Sequence, residues 1–300
     1  ATNNCWGDAP VVIVWNLYTQ YGDASVLKEN YDALCKWVDV LEATSENYIR
    51  RWGGYGGHLA LESTPAEITD TAWCARSADL LSRMAQILGK PEDATHYREV
   101  YENFKTAWQN AYILPDGMTV CNSQTSYALG LSFGLFPEEL TTAATGHFLQ
   151  LIENSNYHIN TGFSGIGYLL PSFSAQGHDE AAYRLLLQKE APSLLYQVQK
   201  GATTTWEMWN AYREEPDGTY FLDGSFNHYT YGTSAGFLYT HTLGIGSDEN
   251  SPGYKHFSLT PRVTEALSYA DGSYQSPYGL ITSKWERTDE GYHFAFMVPA

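Results

Sequence analysis

Three hundred residues, 43% hydrophobic and 15% aromatic, can bury a sizeable core, and the length suits one large domain or a large domain with a small one. With 17 Lys and Arg against 34 Asp and Glu, the formal charge of −17 argues against nucleic acid or an anionic membrane surface as partner, because both demand a basic footprint. A neutral ligand fits better: the 23 Tyr and 9 Trp suit a hydroxyl-rich, apolar-faced molecule such as a carbohydrate, although an aromatic-rich core gives the same count.

In chain order, Pro10 to Tyr21 has helical apolar spacing, with Asp8 placed to cap it and Gly22 to end it. Ala24 to Ala43 repeats the pattern through a stripe of Val26, Leu27, Tyr31, Leu34, Trp37, Val38 and Leu41. A long non-periodic loop follows from Arg51 to Pro65, rich in Gly and aromatics, and such loops inside a compact domain are usually functional. Further helices are expected over Glu67 to Leu88, Glu92 to Tyr112, Ser123 to Phe133, Pro137 to Asn154, Thr161 to Ser174, Asp179 to Gln188 and Ser193 to Gln199. A last one is expected within Phe226 to Leu243. About ten helices joined by tight hinges and long aromatic loops imply a mainly α fold, an (α/α)6 toroid of paired helices over residues 1–250.

At Ser251-Pro252-Gly253 the texture changes. Tyr254 to Thr260, Ala266 to Tyr274, Gly279 to Arg287 and Tyr292 to Val298 are short alternating runs separated by turn residues, so residues 251–300 are expected to begin an antiparallel β-sandwich. The chain starts without Met and in mid-motif, and a fragment is expected, with the toroid incomplete at its N-terminus and the sandwich cut short. Cys5, Cys35, Cys74 and Cys121 form no CxxC pair and have no His at ligand spacing, so buried free thiols are expected rather than a zinc site or disulfides. No HExxH or DxDxDG pattern occurs, and neither a metal nor another cofactor is expected. No stretch is apolar and long enough to span a bilayer.

The sharpest functional signal is Gly201 to Asn210, GATTTWEMWN, in which Glu207 stands between Trp206 and Trp209. Trp206 and Trp209 are candidates to stack on a sugar, Thr203, Thr204 and Thr205 can bond hydroxyls, and an acid walled by aromatics suits general acid or base work. A core Trp pair beside a structural Glu explains these ten residues equally well.

Other loops deliver polar groups flanked by aromatics in the same way: CWGDA at Cys5 to Ala9, GYGGHLALE at Gly54 to Glu62, SQTSYAL at Ser123 to Leu129, TGFSGIGYLLP at Thr161 to Pro171 and SFNHYTYG at Ser225 to Gly232. As an ordered set over nearly the whole chain, these motifs resemble the catalytic domain of the family 78 glycoside hydrolases, the α-L-rhamnosidases, with SYQSPYGLITSKW resembling strands of the β-sandwich that follows. The resemblance implies removal of terminal α-linked L-rhamnose with inversion. Glu207 falls on the family's general base, His228 on a histidine lining the sugar pocket and Trp6 on a tryptophan packing against the sugar. Inversion needs a second carboxyl roughly 6.5 to 9.5 Å away. In the family the general acid lies on an acid-rich motif upstream of WGDA, a segment this sequence does not contain. Gly57-His58 stands where the family more often has Asp-Trp, so His58 is a candidate sugar contact in a changed setting. Asp8 and Glu62 are not promoted to general acid, and Asp8 is equally well a helix cap.

The implied partner is a rhamnosylated glycan or glycoside, with no nucleic acid and no membrane. The alternatives are another α/α-toroid enzyme (an unsaturated glucuronyl hydrolase, a polysaccharide lyase or a sugar epimerase) and a non-catalytic glycan-binding protein. The scarcity of Lys and Arg counts against the classes that must hold a substrate carboxylate.

Overall fold

The computed structural model describes residues 3–51 and 53–300; Trp52, inside the loop expected from Arg51 to Pro65, lies outside the described residues. The chain divides into two compact units. One comprises Ala1–Gly54, Asp70–Trp108 and Phe237–Ala300, the other Tyr55–Thr69 and Gln109–Gly236. The α-helices, in chain order, are α1 (Ala9–Tyr21), α2 (Ser25–Ala43), α3 (Ala66–Ile87), α4 (Pro91–Tyr112), α5 (Gln124–Ser132), α6 (Glu138–Asn154), α7 (Ile166–Ala175), α8 (Asp179–Leu186) and α9 (Leu194–Gln199). Residues 230–242 form a further helical stretch whose pitch changes from 3-10 through one α turn to π.

In the first unit the α2 stripe is the one its spacing requires, with Leu27, Tyr31, Leu34, Val38 and Leu41 buried against α1's Val11, Val14, Trp15 and Tyr18. Gly22 ends α1 in the left-handed conformation (φ 73°), its N–H bonding the Tyr18 carbonyl. Asp79 anchors the polar side of α3 and α4, paired with Arg76, Arg83 and Arg98 at 3.0 to 3.3 Å.

The same unit holds the C-terminal strands. β3 (Ile245–Ser247) pairs with β4 (Phe257–Leu259), and β5 (Tyr269–Ser276), β6 (Gly279–Thr288) and β7 (Gly291–Met297) form a three-stranded antiparallel sheet. The two sheets share a core of Leu243, Ile245, Tyr254 and Ile281. Trp285, fully buried, donates its indole N–H to the Thr242 carbonyl at 2.8 Å. Strand β3 and Leu243 precede the expected boundary at residue 250, and neither carries enough alternating residues to announce a strand.

The second unit packs α5 against α6 and α7, and α7 against α8. Phe148 is its hub, stacked on Tyr127 (5.3 Å) and Phe173 (4.2 Å). Ser123 caps α5 in a reciprocal box with Ser126, and Ser193 caps α9. A hairpin absent from the sequence reading, β1 (Tyr212–Glu214) with β2 (Tyr220–Leu222), turns at Glu215-Pro216-Asp217-Gly218, where Gly218 takes φ 81°.

Candidate active site

Glu207 is held by an extended pairing of residues 204–207 with 225–228, which sequence periodicity cannot reveal because the partner lies beyond the hairpin. Glu207 N–H donates to the Ser225 carbonyl at 2.8 Å, and His228 N–H donates to the Thr205 carbonyl at 2.8 Å. The hydroxyls of Thr204 and Thr205 lock the same pairing by donating to the carbonyls of Phe226 and His228, each at 2.6 Å. Thr204 and Thr205 therefore fix the backbone with their hydroxyl protons and keep only acceptor capacity.

The Glu207 side chain is half-buried, and its Oε2 accepts from the Ser225 N–H at 2.8 Å. Among the described residues, its Oε1 accepts no hydrogen bond. Gly224 (φ 70°) passes close enough that a Cβ there would lie 3.2 Å from Oε2, so the turn before Ser225 is built around this carboxylate.

Aromatic rings run away from it. Trp209, two residues after Glu207, stacks on Tyr231 at 3.9 Å, and burial, with a smaller contribution from the Glu207 charge, pushes the Tyr231 hydroxyl above its ordinary value. Tyr231 meets Phe163 edge-on (5.3 Å), and Phe163 contacts both His228 (4.8 Å) and His58 (5.2 Å). The path ends at exposed rings on either side, Tyr55 beside His58 (5.2 Å) and Tyr229 stacked on His228 (5.4 Å). Glu207, His228 and His58 thus belong to one neighbourhood. Phe163 and Tyr231, which join them, sit inside the TGFSG and SFNHYTYG motifs, but a ring that links other side chains has no spacing signature in sequence.

Trp206 and Trp209 differ from their expected role. They are 4% and 1% exposed. Trp209 stacks on Tyr231 at 3.9 Å and donates its indole N–H to the Thr161 carbonyl at 2.9 Å, while Trp206 is enclosed by Tyr196, Tyr212 and Phe226. These rings wall the site from behind and offer no open stacking face.

A second carboxyl of the same unit, Glu62, is bonded through Oε1 by the Gln124 N–H at the start of α5. Burial pushes it up to about 7, against the lowering effect of the Gln124 and Thr125 backbone bonds. Gln124 ties this point to the next loop: its Oε1 accepts from Asn160 N–H (2.9 Å), and its Nε2 donates to the His158 carbonyl (2.9 Å).

Trp6 and Asp8 lie in the first unit, on the turn before α1. Trp6 is 38% exposed and Asp8 fully buried. Asp8 occupies the N-cap position of α1, yet its side chain does not cap the helix. Instead it accepts from Trp37 Nε1 (2.8 Å), Ser77 Oγ (2.7 Å), Cys5 N–H (2.7 Å) and Asn4 Nδ2 (3.2 Å). The four cysteines are free thiols. Among the described residues no group of three or more His, Cys, Asp or Glu could hold a metal, and no helix is long and apolar enough to cross a membrane.

Residues 1–242 match the family described as the bacterial alpha-L-rhamnosidase 6 hairpin glycosidase domain, and residues 244–300 match the bacterial alpha-L-rhamnosidase C-terminal domain. The chain belongs to this family, and the mainly helical, hairpin-paired architecture read from the sequence is its fold. Among individual proteins, it is 37% identical over 98% of its length to an α-L-rhamnosidase of Streptomyces avermitilis, whose crystal structure with L-rhamnose superposes at a TM-score of 0.92. It is 33% identical over 98% of its length to an α-L-rhamnosidase of Formosa agariphila. The crystal structure of an Aspergillus terreus α-L-rhamnosidase, 30% identical over 99% of the chain, superposes at 0.90. The chain spans 28%, 32% and 36% of the lengths of these proteins.

Proposed function

We propose that this chain supplies the general base and part of the sugar pocket of an inverting α-L-rhamnosidase, with Glu207 activating the water that attacks the anomeric carbon. The observation that carries this reading is the asymmetric state of the Glu207 carboxylate. One oxygen is pinned by the Ser225 N–H, and the second oxygen of this half-buried side chain has no hydrogen-bond donor among the described residues. Such a group is oriented without being spent, which is what a base poised over a water requires. In this reading His228 and His58 bond rhamnose hydroxyls, and Phe163 holds both imidazoles in place. No residue here is assigned the role of proton donor.

The experiment is hydrolysis of an aryl α-L-rhamnoside by the complete gene product, with product mass and anomeric configuration read by mass spectrometry and NMR. Free rhamnose released first as the β anomer supports the reading. An unsaturated product, an epimerised sugar, or binding without turnover contradicts it.

A further inference from the structure

The loop that follows Gly54 does more than carry His58. It lines an open basin of about 470 Å³ whose residues include Tyr55 and Leu61, 57% and 50% exposed, and the half-buried His58 and Glu62. A concave surface that sets exposed apolar side chains beside a few polar groups is a common form of ligand site.

The basin is rigidly seated from beneath. Phe163 N–H bonds the His58 carbonyl (3.0 Å), Leu61 N–H bonds the Asn160 carbonyl (2.9 Å), and the Tyr231 hydroxyl bonds the Leu59 carbonyl (3.2 Å). Ser164 Oγ bonds the Gly56 carbonyl (3.0 Å), and Thr64 bonds Ser123 (2.8 Å). Gly162 lets the two loops touch, since a Cβ there would fall 1.8 Å from the Gly57 carbonyl oxygen. A loop fixed at so many points presents its outward side chains ready-placed, which lowers the ordering cost of binding.

Its position relative to the base is chemically specific. From Trp209, two residues after Glu207, ring contacts run through Tyr231, Phe163 and His58 to Tyr55, so the basin lies at the far end of this path from the segment that carries the proposed base. In an inverting displacement, water and base occupy one side of the sugar and the departing group the other.

We infer that this basin is the leaving-group subsite, where Tyr55 stacks on a neutral ring joined to the glycosidic oxygen and Glu62 bonds a hydroxyl at that ring's edge. The inference rests on the rhamnosidase reading above. Aryl aglycones and pyranose rings share the required chemistry, an apolar face with a hydroxylated edge.

The test compares Tyr55→Ala with wild type in the complete gene product on α-L-rhamnosyl fluoride, whose leaving atom is too small to reach the basin, on an aryl α-L-rhamnoside and on a rhamnosyl-glucose disaccharide. The expected result is a loss of about tenfold in kcat/KM, the scale of one base-like stacking contact, on one or both ring-bearing substrates, with the fluoride unchanged and Tyr55→Phe close to wild type. Loss on the aryl substrate alone assigns an aryl occupant, and loss on the disaccharide alone a sugar. Equal losses on all three substrates, or none on any, overturn the subsite while leaving the rhamnosidase reading intact. Wild type inert on all three overturns the rhamnosidase reading itself. If Tyr55→Ala does not fold, Leu61→Ala, at the other exposed apolar lining residue, is read for the same selectivity.

Discussion

Asp8 and Glu207 are both acids in quoted motifs beside tryptophans, and the structure uses them in opposite ways. Asp8 is fully buried and takes donors on both oxygens, from Asn4 and Cys5 on one and from Trp37 and Ser77 on the other. Burial raises its pKa and those four donors oppose the rise, so the carboxylate is a junction that joins the first turn to α2 and α3. Glu207 has one oxygen bound and one open. A carboxylate whose acceptors are all used is structural, whereas one held by a single bond is oriented and still able to take a proton. Glu62 lies between the two, bonded at a helix start but left half-buried at the edge of a basin.

The largest effect that would break this contrast is at Glu207. In the complete gene product, Glu207→Gln should lower kcat on an aryl rhamnoside by about 10²- to 10⁴-fold with thermal unfolding unchanged. Retained activity would remove the base. Asp8→Ala should do the reverse, costing on the order of 3 kcal/mol of stability because buried donors lose their acceptor. An unchanged melting temperature would show that Asp8 is no junction.

Gly162→Ala sharpens the picture of the seated loop. Its new Cβ must displace the Gly57 and His58 carbonyls, so both melting temperature and KM should worsen, by about 1–3 kcal/mol in stability. An unperturbed Gly162→Ala protein would contradict the close approach.

Glu62 gives a smaller effect, confined to pH. Its folded value of about 7 exceeds the ordinary carboxyl value, so between roughly pH 4.5 and 7 the folded state binds more protons than the unfolded one. Stability from this group is therefore fully present below that window and falls as pH rises through it. Glu62→Gln should flatten this limb, a change on the order of 2 kcal/mol in unfolding free energy between pH 5 and 8; an unaltered profile would refute it. The smallest effect is at Cys5, pushed up to about 12 by burial and by Asp8 and Asp70. Its alkylation by iodoacetamide at pH 8 should be much slower than that of a free cysteine and should quicken in Asp8→Ala. Peptide mapping reads both rates.

Most of the helices were legible because burial of one stripe leaves a period in the sequence, as in α2. The segment expected as a helix from Thr161 begins only at Ile166. Before that point, residues 161–165 make the turn that carries Phe163 and lets Gly162 meet the neighbouring loop. The hairpin between Glu207 and Ser225 was missed although Pro216-Asp217-Gly218 is a turn signal, because its strands are three residues each, too short for alternation to register. At the candidate site, motif order picks out Glu207, His228 and His58, and Phe163 joins the two histidines in the fold. What could not be read was which tryptophans face outward. Trp206 and Trp209 look like a sugar platform in sequence, and their burial follows from partners, Tyr231 and Phe226, that follow the intervening hairpin. Composition and motif neighbours identify a residue's chemistry, and only the long-range pairing decides which side of it is free.

The most direct test of the central claim is azide rescue of Glu207→Ala in the complete gene product acting on an aryl α-L-rhamnoside. Azide needs no base to attack, so rate should return with azide concentration and the product should be the β-L-rhamnosyl azide. Undiminished hydrolysis without azide, or an inactive variant that azide does not restore, would contradict Glu207 as the base.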